Sequence, residues 1–178
     1  MIAHFTPFPE IKTGRLLLRK LSVEDSELLL QLRSDETVNK YLDRPKTTTI
    51  EECIAYIHKI DALIRAGLGT YWVISFKDDK RLIGAICFWN FDPDKDSAEL
   101  GYELSPAYHG KGLMTEAIAS VVAFGFELMK LKVILAFPHH ENKGSRRLLE
   151  KADFAEDLND EYAVRADLGE HVVYFLKV

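Results

Sequence analysis

The chain has 178 residues, of which 47% are hydrophobic and 29% charged, enough for one domain with a real core and ordinary for a globular protein. A net charge of -5 supplies no basic field for a nucleic-acid backbone, and no apolar run reaches the roughly 18 residues a membrane span needs, so neither nucleic acid nor membrane is an expected partner. The start lacks a basic region followed by an apolar run, which predicts a cytoplasmic location, and Cys53 and Cys87 lack C-x-x-C spacing and read as buried free thiols.

Strand and helix patterns alternate along the chain. Residues 15–21 form a short apolar run behind Gly14 and predict a first strand. Ser22 and Asp25 make a capping box for a helix to about Ser34 carrying Leu28, Leu29 and Leu32. Residues 38–48 read as a loop. Thr49 and Glu52 start a clearer helix with a stripe of Cys53, Ile54, Ile57, Ile60 and Ile64, stopped by Gly67 and Gly69. Residues 71–76 and 82–91 read as a hairpin, and the second run is apolar on both faces, which implies a sheet covered by helices on both sides. A strand over 98–104, an amphipathic helix over 113–129 and a strand over 133–137 follow. Asn142 can cap a helix holding Leu148 and Leu149, and 162–164 with 172–176 predict a closing hairpin around residues 167–170.

Chemistry concentrates between the fourth of these strands and the helix after it, in Tyr108-His109-Gly110-Lys111-Gly112-Leu113-Met114-Thr115-Glu116-Ala117. The first amides of a helix have no intrahelical acceptors, and glycines let an anion approach the backbone, so the turn suits a pyrophosphate. By itself it is weak evidence and reads first as a tight strand-to-helix turn that needs glycine for its φ angles. Ser105 and Gly112 exclude a Walker A loop, and the glycine spacing excludes a dinucleotide fingerprint.

The surroundings of this turn resemble the GNAT superfamily of N-acetyltransferases, and within it the RimJ/RimL-like branch of ribosomal-protein N-terminal acetyltransferases. The resemblance rests on Thr13-Gly14-Arg15-Leu16-Leu17-Leu18-Arg19, Ile83-Gly84, Ala98-Glu99-Leu100-Gly101-Tyr102-Glu103-Leu104, the glycine turn with Thr115-Glu116-Ala117, and Asn142-x-x-Ser145-x-x-Leu148-Leu149-Glu150-Lys151. It implies an α+β fold: a mixed, mostly antiparallel sheet of six to seven strands flanked by helices, splayed between the fourth and fifth strands, with acetyl-CoA as co-substrate in the opening and no metal. His109 and Met114 stand where the family pattern has Arg or Gln and Gly or Ala, and Asp153 stands where it usually has Gly.

Carried residue by residue, the resemblance places the cofactor against Leu104, Ser105, His109, Gly110, Lys111, Gly112, Leu113, Met114, Thr115, Asn142 and Ser145. The reaction needs a base for the amine proton, a donor for the oxyanion and an acid for the departing sulfur. Glu99 and Glu103 alternate onto one strand face and are rival bases, with Glu99 first; each also reads as a solvated strand-face carboxylate. The amide of Leu104 or a neighbour is the expected oxyanion donor. Ser145 is the candidate near the sulfur, although Asn142 and Ser145 equally suit a plain helix start. Tyr102, Tyr108, Tyr162 and Tyr174 are alternative proton donors or packing residues, and His139 and His140 read as solvated rather than metal-bound. The acceptor stays open: a protein N-terminus, a small amine such as an amino acid, polyamine or aminoglycoside, or none in a catalytically silent acyl-CoA-binding module. Monomer and homodimer are both compatible with the sequence.

Overall fold

Eight strands make one sheet in the order β1-β2-β3-β4-β5-β6-β8-β7. The computed structural model describes residues 5–162 and 169–178. The strands are β1 (Ile11–Lys12), β2 (Leu16–Lys20), β3 (Thr70–Phe76), β4 (Gly84–Asp92), β5 (Ser97–Leu104), β6 (Val133–Ala136), β7 (Ala155–Glu156) and β8 (Tyr174–Lys177); the helices are α1 (Ser26–Ser34), α2 (Glu36–Asn39), α3 (Ile50–Arg65), α4 (Leu113–Glu127) and α5 (Lys143–Lys151). Every pairing is antiparallel except β5 with β6, whose parallel course requires the crossover that α4 provides. The six to seven expected strands become eight because β1 and β7 are two residues long, too short to show an alternation.

Both predicted capping boxes form, Ser22 with Asp25 and Thr49 with Glu52. The stretch read as a loop from residue 38 contains the end of α2, a single helical turn whose N-cap Asp35 accepts the Val38 amide. In the closing hairpin, β8 pairs with β6 on one side and β7 on the other. The expected partner arm at 162–164 lies outside the described residues except for Tyr162, as does the start of the turn at 167 and 168.

Alternation along β4 splits the core. Ile86 and Phe88 face α4 together with Trp72, Ile118, Val121 and Phe124, whereas Ala85 and Cys87 face α1 and α3 together with Leu29, Cys53, Ile57 and Val73. A strand covered on both faces is therefore what its unbroken apolar run produces, and each fully buried large side chain contributes about 1.5–3 kcal/mol. Cys53 is buried and Cys87 half-buried, both unpaired by disulfides. Burial pushes the Cys87 thiol up to about 12. Asp153 holds φ 63°, so the turn after α5 keeps the left-handed conformation that glycine favours and that aspartate tolerates.

β5 and β6 stay paired only from Ser97 to Glu99, opposite Val133 to Leu135. Beyond Glu99 they part, and the expected splay lies at this point.

Candidate active site

Backbone chemistry shapes the gap first. The Ser105 amide donates to the Ile83 carbonyl at 2.9 Å, so in the antiparallel register Tyr102 and Leu104, one residue out of phase, turn their amides away from β4 toward the opening. The Leu104 carbonyl accepts a 2.9 Å bond from His109 Nε2, which fixes the proton on that nitrogen. His109 thus ties the end of β5 to the glycine turn.

That turn holds two left-handed glycines, Gly110 at φ 72° and Gly112 at φ 70°, with Gly112 as the N-cap of α4. Gly112 has no side chain to cap the helix, and the first intrahelical acceptance there is the Glu116 amide on the Gly112 carbonyl at 3.1 Å. The amides of Leu113, Met114 and Thr115 consequently point out of the helix end. A Cβ on Gly110 would meet nothing within 4 Å, which leaves room for an anion against the backbone. The turn is braced from behind: Arg15 Nη1 donates to the Lys111 carbonyl at 2.9 Å, and Arg15 Nε pairs with Glu116 at 2.7 Å.

Leu104, His109, Gly110, Gly112, Leu113, Met114, Thr115, Asn142 and Ser145 line one cleft of about 670 Å³, together with Glu99 and Glu103. Ser105 and Lys111 do not line it. The Lys111 ammonium turns back onto the Ala107 carbonyl at 2.9 Å. Two wall features were not named from the sequence: Arg147 and Lys151, one turn apart on α5, and the exposed Trp89, opposite Glu99 on β4. Val38, Tyr41 and Leu42 come from the region between the first two long helices, which the resemblance implies as acceptor side, without having been singled out. Only the helical spacing of Arg147 and Lys151 was a usable signal.

Asn142 caps α5, its Oδ1 accepting the Ser145 amide at 3.0 Å. The Ser145 hydroxyl lies 2.7 Å from the Tyr102 hydroxyl, across the splay. Burial pushes the Tyr102 phenol up to about 12, against the bond from Ser145, so it remains a proton donor through neutral pH. Tyr174 is a packing residue, donating to Glu150 at 3.0 Å and accepting from Arg146 at 3.2 Å.

Neither strand glutamate is solvated. Glu99 is 7% exposed and accepts from Asn90 Nδ2 at 2.8 Å. Glu103 accepts from Arg44 Nη2 at 2.7 Å and from the Tyr71 hydroxyl at 3.5 Å. Between them on the strand, Gly101 leaves room for Cys87 Sγ, 3.1 Å from where a Cβ would stand. His139 is not solvated either: its side chain is 13% exposed, bonds Glu170 at 2.9 Å and packs against Tyr41 with ring centroids 5.3 Å apart. Among the described residues, no group of three or more His, Cys, Asp or Glu is placed to hold a metal ion, and no helix is long and apolar enough to cross a membrane.

The sequence pattern of the acetyltransferase (GNAT) domain matches residues 15–155, from the first long strand through the cleft to β7. The chain belongs to the GNAT N-acetyltransferases. Among this family it is 34% identical over 150 residues to YoaA, an uncharacterized N-acetyltransferase of Bacillus subtilis (strain 168), covering 84% of this chain and 85% of YoaA. It is 25% identical over 164 residues to the [ribosomal protein uS5]-alanine N-acetyltransferase of Escherichia coli (strain K12), covering 85% and 83% of the two chains. The fold superposes with a TM-score of 0.80, at 18% identity, on RimL, the ribosomal L7/L12 α-N-protein acetyltransferase in complex with coenzyme A, over 96% of this chain and 98% of that one. The GNAT and RimJ/RimL-like resemblance read from the sequence is thus shown, and the fold agrees with it.

Proposed function

We propose that this GNAT enzyme moves an acetyl group from acetyl-CoA to the primary amine of a protein N-terminus, and that Glu99 receives the amine proton. The observation that carries the reading is the convergence on one cleft of an anion-accepting helix end, two strand amides turned away from β4 and a buried carboxylate. The residues fit acetyl-CoA. Its pyrophosphate suits the amides of Leu113 to Thr115 beside Gly110, its phosphorylated end suits the charges of Arg147 and Lys151, and its amide-bearing arm suits the open edge of β5 near Tyr102 and Leu104. When bound, it supplies the acetyl group as an activated thioester.

The remaining chemistry belongs to the chain. Glu99, held by Asn90, lines the same cleft as Val38, Tyr41 and Leu42 and can take a proton from an arriving ammonium, directly or through water. The Leu104 amide, turned into the gap, is placed to donate to a developing oxyanion. Tyr102 and Ser145, joined at 2.7 Å, form a donor pair that can deliver a proton to a departing sulfur. A protein N-terminus is favoured over a small amine by the relatives named for ribosomal-protein acetylation.

Labelled acetyl-CoA with two acceptor panels tests this: peptides bearing free N-terminal Ala, Ser or Met, and small amines including amino acids, polyamines and aminoglycosides. Transfer to peptides is expected. Labelling of small amines alone overturns the N-terminal assignment, and acetyl-CoA binding without transfer to any amine returns the silent acyl-CoA-binding module.

A further inference from the structure

Glu103 shares a strand face with Glu99 but sits in another chemical setting. Its carboxylate receives Arg44 Nη2 at 2.7 Å, Tyr71 Oη at 3.5 Å and, at 3.9 Å, Arg33 Nη1. The side chains of Arg33 and Glu103 are 10% and 9% exposed. Arg33 is fixed on every side: its guanidinium lies 3.9 Å over the Tyr56 ring, its Nε donates to Thr47 Oγ1 at 3.2 Å, and its carbonyl accepts from Asn39 Nδ2 at 2.6 Å. Asn39 in turn accepts from Arg44 Nε at 3.0 Å. The polar groups of the segment from α1 to α3 thus converge on one buried anion.

This segment carries Val38, Tyr41 and Leu42 into the cleft, where Tyr41 reaches across to His139. Among the described residues it has little core of its own: α2 buries no residue, and Thr47 is the one buried side chain from 35 to 47. Its apolar anchorage is slight, Val38 alone packing half-buried against the core under α1 and α3, and the ion pairs with β5 add to it. Both carboxylate oxygens of Glu103 are already engaged, Oε2 by Arg44 and Oε1 by Tyr71 and Arg33, which suits an anchor.

We propose that Glu103 is a positioning residue that, through Arg44 and Arg33, pins the segment 35–47 as the acceptor-side wall, and so governs binding of the amine rather than its deprotonation. The role rests on the reading of the cleft as an amine-acetylating site. Its sequence partners are remote, since Arg44 is 59 residues from Glu103.

The test combines steady-state kinetics with hydrogen exchange on Glu103→Gln, Arg44→Gln and the double variant, using an alanine-led octapeptide and tyramine as acceptors. Each single change is expected to raise the acceptor KM about tenfold, leave kcat within about threefold with its pH profile intact, and leave acetyl-CoA affinity unmoved; the double variant resembles the worse single because both break one network. Amides of residues 35–47 exchange faster in every variant without any acceptor present. A fall in kcat of about a hundredfold with a flattened pH profile in Glu103→Gln makes Glu103 the base and overturns the proposal. So does unchanged KM with unchanged exchange. If the unmodified enzyme acetylates neither acceptor, the amine reading falls by itself, and exchange in 35–47 still decides the anchor: no acceleration overturns it.

Discussion

Arg15 and Glu116, 101 residues apart, are joined by a 2.7 Å ion pair that links the start of β2 to the first turns of α4. The same carboxylate accepts the Thr13 hydroxyl at 2.5 Å and the Arg15 amide at 2.8 Å. The Thr13-Gly14-Arg15 and Thr115-Glu116 motifs, separate in sequence, are two halves of one brace behind the glycine turn.

Burial opposes ionisation of Glu116, but the bonds from Thr13 and Arg15 outweigh it and hold the carboxyl below the usual carboxylate range. A depressed folded value means that the stabilisation is present above the unfolded value of about 4.3 and lost as pH falls through the folded one. Because Arg15 is half exposed, Glu116→Gln is expected to cost only about 1–2 kcal/mol at neutral pH. The gap between variant and unmodified chain should narrow as pH falls below the unfolded value and close as it passes the lowered folded one. Urea unfolding at neutral and acid pH checks this, and a gap independent of pH would show that the charge is not what matters.

Gly110 has open space where a Cβ would stand, so Gly110→Ala meets no protein atom and suffers only the left-handed φ, about 1–2 kcal/mol. If a pyrophosphate lies against this backbone, the acetyl-CoA Kd of the folded variant should rise about tenfold or more. Calorimetric titration alongside a melting curve separates the two effects, and an unchanged Kd moves the phosphate site elsewhere.

For Glu99→Gln, kcat is expected to fall by roughly 10²–10⁴-fold with acetyl-CoA affinity retained. In the unmodified enzyme the rate should climb with pH as the amine loses its proton. Stopped-time assays across pH 6 to about 10 test both statements. Full activity in the variant would mean that the amine arrives neutral and that the site works chiefly by positioning.

Tyr102→Phe removes a hydroxyl whose phenol titrates only near 12, so it should lower kcat without shifting any feature of the pH profile below about 10. Ser145→Ala should reproduce the loss, since the two hydroxyls form one 2.7 Å pair. Independent, multiplying losses would argue against a shared donor.

Local spacing made much of this legible. Capping at Thr49 and Asn142, the glycine turn, and the alternation of Glu99 and Glu103 each depend on neighbours a few residues away, and each stands as read. What a side chain meets across the fold does not show in spacing. Glu103 reads in sequence like Glu99, and only tertiary packing delivers two arginines to one and an asparagine to the other. Tyr41 and Leu42 belong to a stretch without periodicity, so nothing local marks them as wall. The two-residue strands β1 and β7 are invisible for a related reason: their neighbours in the sheet, not their own sequence, make them strands.

The parting of β5 and β6 after Glu99 gives this sheet an edge in its middle. Edges elsewhere are protected by charge, brevity or cover, because unpaired strand amides recruit other strands. Here the edge cannot be closed without closing the cleft. The chain without its thioester is therefore the form most exposed to strand-mediated self-association, and saturating acetyl-CoA should keep the protein dispersed as well as folded.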